Sequence, residues 1–281
     1  MSGLLKRTLS GAVLVAVMVA GILYSSGSLF ALALIITAGS LTEFYRLADS
    51  KNTGKKSWAD VYSPVGVGLI VVILSYLVIW DKLAPLYFQL VLLLVFLFFI
   101  SALFRKSGDP FRILGSQLLG LVYIAVPISL LLALGVRPHW DGTLVYNAGL
   151  VLFYVILIWI NDVGAYLVGI TLGRHRLCER LSPKKSWEGF FGGLIFTVAA
   201  AVFLGPRMTG FENTAWWGWI IFGVVLTLSA VAGDLVESMF KREAGVKDSG
   251  NIIPGHGGFL DRFDAMFISL PFVYLMVQAI Y

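Results

Sequence analysis

Nine apolar runs, separated by short polar stretches, divide the chain. They cover about 9–24, 28–47, 61–80, 84–104, 113–134, 144–170, 190–206, 214–236 and 264–281. A spanning helix needs about 20 mostly apolar residues. The pattern therefore predicts an all-α polytopic membrane protein with about nine transmembrane helices. Pro64, Gly66, Gly68 and Pro127 fall inside these runs. Spanning helices tolerate them because neighbouring helices satisfy the freed backbone groups.

The basic residues test this count. With the N-terminus in the cytoplasm, every Lys and Arg falls on a cytoplasmic segment except Lys82, Arg137 and Arg207. That bias follows the positive-inside rule. It predicts a cytoplasmic N-terminus and a C-terminus on the outer side. Two long polar loops, about 171–189 and 237–263, then face the cytoplasm. The chain divides into residues 1–140, about five helices for scaffold and lipid contact, and residues 141–281, about four helices carrying both loops. No small-residue cleavage site follows Lys6 and Arg7, so the first run reads as a membrane helix rather than a removed signal.

Composition agrees. Of 281 residues, 58% are hydrophobic and 13% charged, against about 45–50% and about 25% in soluble domains. The single cysteine, Cys178, excludes an intrachain disulfide and a multi-cysteine metal site. The net charge of +5 is modest, and no nucleic-acid partner is expected. The lipid bilayer is the expected surrounding.

Charge is concentrated where the loops are. Residues 238–264 gather Lys241, Arg242, Glu243, Lys247, Asp248, His256, Asp261, Arg262 and Asp264 around a PGHGG turn. Such a loop suits phosphates and metal ions. Asp234, Glu237, Ser238 and Lys241 stand at i, i+3, i+4 and i+7, on one helix face. Asp234 closes an apolar run, where a carboxylate is expensive unless paired, metal-bound or in a water-filled cavity. An ion pair with Lys241 is the plainer reading of Asp234; a metal role is the sharper one. Asp261 and Asp264 share a face at i, i+3 in the first turn of the last helix. Capping explains one of them. With Asp234 they would form a cage of hard oxygens, for which magnesium, as one or two divalent ions, is the expected occupant. A monovalent ion beside it stays open.

The PGHGG turn offers backbone N–H groups to phosphate oxygens. It is not a P-loop, because no GxxxxGK[ST] occurs. His256 either donates to a phosphate or holds the loop. The segment LSPKKSWEGFFGG adds Lys184, Lys185 and Glu188. Lysines there also fit anionic lipid headgroups. Asn161, Ala165, Gly169 and Gly173 repeat every four residues as a small-residue packing face, so Asp162 should point into the bundle or a cavity. Glu43, Arg46 and the Arg105-Lys106 pair sit near helix ends, where topology and snorkelling explain them.

These three clusters together resemble the phosphatidate cytidylyltransferase (CDP-diacylglycerol synthase) family. Its signature runs as a Ser, a Lys-Arg pair, a Lys-Asp, a His-Gly-Gly and an Asp-Arg-x-Asp. Ser238, Lys241, Arg242, Lys247, Asp248, His256, Gly257, Gly258, Asp261, Arg262 and Asp264 match it. Asn161 to Tyr166 and Ser182 to Gly189 also look like that family. The matched region covers about 155–270.

The resemblance implies that CTP and phosphatidic acid give CDP-diacylglycerol and pyrophosphate. It implies catalytic roles for Asp162, Lys185, Glu188, Asp234, Lys241, Arg242, Lys247, Asp248, Asp261 and Asp264. Lys184, Lys185, Ser238, Lys241, Arg242, Gly255, His256, Gly257, Gly258 and Arg262 would bind substrate. Asp234, Asp261 and Asp264 would hold divalent metal, and Asp162 would orient a lysine or a metal-bound water. The implied location is the bacterial inner membrane, with the site facing the cytoplasm. A homodimer through the small-residue faces is a further expectation. Two readings compete: transfer to another membrane lipid phosphate, and a transporter with an acid relay through Asp162 and Asp234. The absence of an internal repeat speaks against the transporter.

Overall fold

The computed structural model describes residues 3–50, 58–104, 109–139, 141–211, 213–250, 252 and 257–280. The helices are α1 (Gly3–Tyr24), α2 (Ser26–Ala48), α3 (Trp58–Ile79), α4 (Gln89–Leu103), α5 (Pro110–Gly120), α6 (Val126–Leu134), α7 (Ala148–Leu172), α8 (Trp187–Met208), α9 (Trp216–Glu243) and α10 (Leu260–Ile280). A 3₁₀ turn, Pro85–Phe88, leads into α4. A π-helical turn, Leu121–Ala125, joins α5 to α6 as one rod. Pro127 follows that turn; it lacks an N–H and its ring crowds the carbonyl four residues back, which the wider turn relieves.

Nine rods thus stand where nine apolar runs were expected, among the described residues. Seven are long and apolar enough to cross a bilayer. The apolar part of α1, Thr8–Tyr24, is shorter, and α10 begins with Asp261, Arg262 and Asp264. The fold is all-α and polytopic, and the chain is an integral membrane protein. The polar loops also contain two short antiparallel ribbons. β1 (Val136–Pro138) pairs with β2 (Leu144–Tyr146), and β3 (Arg176–Cys178) pairs with β4 (Ser182–Ser186).

One buried cluster runs through both halves of the chain, from Met18 and Ile36 to Phe153, Phe222 and Phe267. Inside it Trp219 meets Phe153 edge to face at 5.6 Å, and Tyr154 Oη lies 2.6 Å from Ser269 Oγ. Helix α7 packs on α8 through its small-residue face, as the spacing predicts. A Cβ placed on Gly193 would stand 2.7 Å from Asn161 Oδ1 and 3.2 Å from Ala165 Cβ. Helix α4 is turned outward, and Phe98 is its buried residue.

The two ends of the bundle differ. At one, Arg46 Nη2 donates to Tyr62 Oη (2.8 Å) and Arg112 Nη2 to the Ala48 carbonyl (3.4 Å). The ends of α2 and α9 meet the starts of α3, α5, α8 and α10 there. At the other, Tyr146 Oη donates to the Ile22 carbonyl (2.6 Å) and Asn147 Nδ2 to that of Thr209 (2.9 Å).

Candidate active site

Two cavities at the charged end are lined by the predicted site residues. One, of about 350 Å³, is lined by Asp162, Asp234, Lys241, Asp248, Asp261, Arg262 and Asp264, with Met18 and Trp159 on its apolar wall. The other, of about 370 Å³, lies along α7 and the start of α8. It is lined by Asp162, Tyr166, Ile170, Lys184, Lys185, Phe190 and Asp234. Asp162 and Asp234 border both.

Helix α9 presents its predicted face to this region. Ser238 Oγ donates to Asp234 Oδ1 (3.3 Å). Lys241 Nζ lies 2.5 Å from Glu237 Oε2 and 2.8 Å from Asp261 Oδ1. Asp234 is ion-paired with Lys185. The Asp234–Lys241 pair suggested by helical spacing is therefore not made, because Lys241 reaches forward to α10 while the β4 strand delivers Lys185 to Asp234. Glu237 is fully buried, and Lys241 is its counter-charge.

Asp261 is fixed from several sides. Its Oδ2 accepts from Ser249 N (2.9 Å) and Gly258 N (2.9 Å) and lies 3.0 Å from Ser249 Oγ. Gly257 has φ of +83°, a left-handed conformation that suits glycine. Asp264, one turn along, accepts from the Ala265 amide (2.7 Å). Asp162, Asp234 and Asp264 lie close enough to repel one another, and Lys185 is near all three.

The remaining predicted residues divide. Asp248 and Arg262 line the first cavity and Lys184 the second. Arg242 ties the two polar loops, donating to the carbonyls of Leu181 (3.3 Å) and Val246 (3.2 Å). Lys247 is exposed. Glu188 borders neither cavity. It accepts from Arg174 N (3.1 Å), His175 N (3.2 Å) and His175 Nδ1 (2.6 Å), closing the turn before β3. Gly255 and His256 lie outside the described residues.

Glu43 corrects the sequence reading. It is 2% exposed, so it neither snorkels nor marks topology. Its Oε2 accepts from Leu260 N and lies against Ser249 Oγ, both at 2.9 Å. The signal was present: Ile36, Ser40, Glu43 and Leu47 are all buried, and their spacing makes one face of α2.

Oxygen-rich walls of this kind suit a hard divalent cation. Among the described residues, however, no three His, Cys, Asp or Glu side chains stand together closely enough to hold an ion unaided. Asp261 instead shares Oδ1 with Lys241.

A model of the cytidylyltransferase family matches residues 5–280. The chain belongs to the cytidylyltransferase family. Similar proteins include the phosphatidate cytidylyltransferase of Haemophilus influenzae, 38% identical over 187 residues, which are 65% of this chain and 62% of that relative. The phosphatidate cytidylyltransferases of Staphylococcus saprophyticus and Staphylococcus aureus are 43% identical over 127 residues and 44% identical over 129. Those matches cover 45% of this chain and 48% of each relative. The chain thus spans between about half and two thirds of the relatives it matches.

Proposed function

We propose that the protein transfers the cytidylyl group of CTP to phosphatidic acid, giving CDP-diacylglycerol and pyrophosphate. The observation that carries this reading is the junction of two unlike cavities at Asp162 and Asp234. The first is cation- and carboxylate-walled. The second combines Lys184 and Lys185 with apolar Ile170 and Phe190. An anionic nucleotide and an anionic lipid could meet there. The relatives' names point to the same pair of substrates.

A phosphate oxygen of phosphatidic acid forms a bond to the α-phosphorus of CTP. The bond from that phosphorus to the β-phosphate oxygen breaks, and pyrophosphate leaves with the electron pair. No protein nucleophile is required. Catalysis is positioning plus charge stabilisation. Lys241 and Arg262, on the first cavity wall, neutralise phosphate charge, with Arg242 and Lys247 on the adjoining loop. Lys184 and Lys185 do so from the second. Asp162 orients Lys185 between the two.

Magnesium suits this wall only in company with substrate phosphates, because it binds through one or two carboxylates plus phosphate oxygens, and Asp234 and Asp264 both line the first cavity. Asp234 and Asp264 would hold the ion with the phosphates, whereas Asp261, the third expected ligand, is bonded to Lys241 and would have to leave it to join them. Bound there, the ion would offset the charge of the phosphates. The basic end faces the cytoplasm of a bacterial inner membrane in this reading, which the bias of Lys and Arg supports.

The test is pyrophosphate release from purified protein given CTP, phosphatidic acid and Mg²⁺, with ATP, GTP and UTP as controls. Release is expected only when CTP and phosphatidic acid are both present, together with a cytidylylated lipid. Release without phosphatidic acid, or only with another lipid phosphate, would overturn the assignment.

A further inference from the structure

We infer that Glu43 is a positioning residue: the α2 carboxylate clasps Ser249 and Leu260 and thereby fixes Asp261 against Lys241. The kinetic part of this role rests on the reaction proposed above.

Glu43 Oε2 is the point of attachment. It accepts from Leu260 N and lies against Ser249 Oγ, both at 2.9 Å and both on residues more than 200 positions away along the chain. Leu260 opens α10, and first-turn amides have no partner within their own helix. Glu43 supplies one from another helix. Ser249 then carries the restraint onward, because its N–H donates to Asp261 Oδ2 (2.9 Å). Its hydroxyl stands 2.9 Å from Glu43 and 3.0 Å from Asp261, and its single hydrogen bridges one or the other. Asp261 Oδ1 completes the line at Lys241 Nζ, 2.8 Å away.

The surrounding packing is built for this contact. A Cβ on Gly250 would stand 2.7 Å from Glu43 Cδ, and one on Gly258 would stand 2.6 Å from it. The loop closes round the carboxylate because both positions lack a side chain. One turn earlier on α2, Gly39 receives the Phe259 ring; a Cβ there would lie 2.7 Å from Phe259 Cγ. Gly39 and Glu43 are therefore an i, i+4 receptor on α2 for Gly258, Phe259 and Leu260. A carboxylate buried in an apolar helix is costly without hydrogen bonds. Here the bonds it makes are with the loop.

A purely packing role and a positioning role differ in what they change. The experiment compares Glu43→Ala, Glu43→Gln and Glu43→Asp with the parent, using the full chain in detergent. Hydrogen exchange is read over residues 245–262, and turnover is read with CTP and phosphatidic acid. Glu43→Ala is expected to speed exchange in that segment roughly tenfold and leave α7 and α8 unchanged. It should cut turnover about 10²-fold, more in kcat than in the KM for CTP. Gln keeps an acceptor oxygen and should restore most of both; Asp is one methylene short and should not. A folded Glu43→Ala protein with parental exchange and kcat would overturn the clasp. If the Ala variant does not fold, parental exchange and kcat in Glu43→Asp overturn it equally. A parent without turnover would count against the proposed reaction, while the exchange result would still decide the clasp.

Discussion

Lys185 is ion-paired with Asp234, tying the end of β4 to the C-terminal half of α9. Its neighbour Lys184 has no such place: it is exposed and lines only the second cavity. The two adjacent lysines should therefore have different kinetic effects. Lys185→Ala leaves Asp234 without its ion-pair partner and should lower kcat by about 10²–10³-fold. Lys184→Ala should act mainly on the KM for lipid. Steady-state pyrophosphate release, varied separately in CTP and phosphatidic acid, reads both. Equal losses in kcat would contradict the central placement of Lys185.

Asp264 offers a handle on the cation. It shares the first cavity with Asp234 and is close enough to be repelled by it. Asp264→Asn removes an ionisable oxygen ligand while keeping the shape. The Mg²⁺ concentration for half-maximal turnover should rise about 10–100-fold. A magnesium titration of the variant tests this, and an unchanged midpoint would remove Asp264 from the cation site.

The rods were legible because hydrophobic run length carries them. So was the α9 face, since Asp234, Glu237, Ser238 and Lys241 are bound to one side of any helix. The Asn161–Ala165–Gly169 face was legible for the same reason. Partner choice was not. Helical spacing offered Asp234 to Lys241, but Lys185 and Asp261 come from other elements, and only their arrival decides the pairing. Glu43 was misjudged because its distance from the end of α2 was weighed, and its membership of a buried face was not. What it binds, Ser249 and Leu260, is remote in sequence, so no local pattern names the partner. The short ribbons β1–β2 and β3–β4 were missed because each strand has only 3–5 residues.

Glu188 separates a loop-closing role from a catalytic one. Its oxygens hold the amides of Arg174 and His175, and it borders neither cavity. Glu188→Gln keeps an acceptor for those amides and gives up a contact to His175, whose side chain is 80% exposed. Exposed pairs of this kind contribute little. Turnover should stay within about fivefold of the parent, whereas Asp234→Asn in the same assay should lose far more. A loss at Glu188 equal to that at Asp234 would return Glu188 to the chemistry.

The α7–α8 contact gives a stability prediction with an internal control. Gly193 faces Asn161, and an added Cβ would stand 2.7 Å from its Oδ1 and 2.9 Å from its carbonyl oxygen. That carbonyl belongs to the backbone and cannot swing aside, so α8 must move away from α7. Overpacking of this kind costs about 1–3 kcal/mol, and Gly193→Ala should lower the unfolding temperature. Gly115, also helical, has no atom within 4 Å of such a Cβ. There alanine meets no obstacle and restricts the unfolded chain, so Gly115→Ala should be neutral or stabilise by up to about 1 kcal/mol. Thermal unfolding of both variants in one detergent separates the two effects. Because α7 carries Asp162 and α8 follows Lys185, the Gly193 variant should also lose turnover below its unfolding temperature, while the Gly115 variant keeps it. Parallel behaviour of the two would mean that close approach at Gly193 does not hold these helices together.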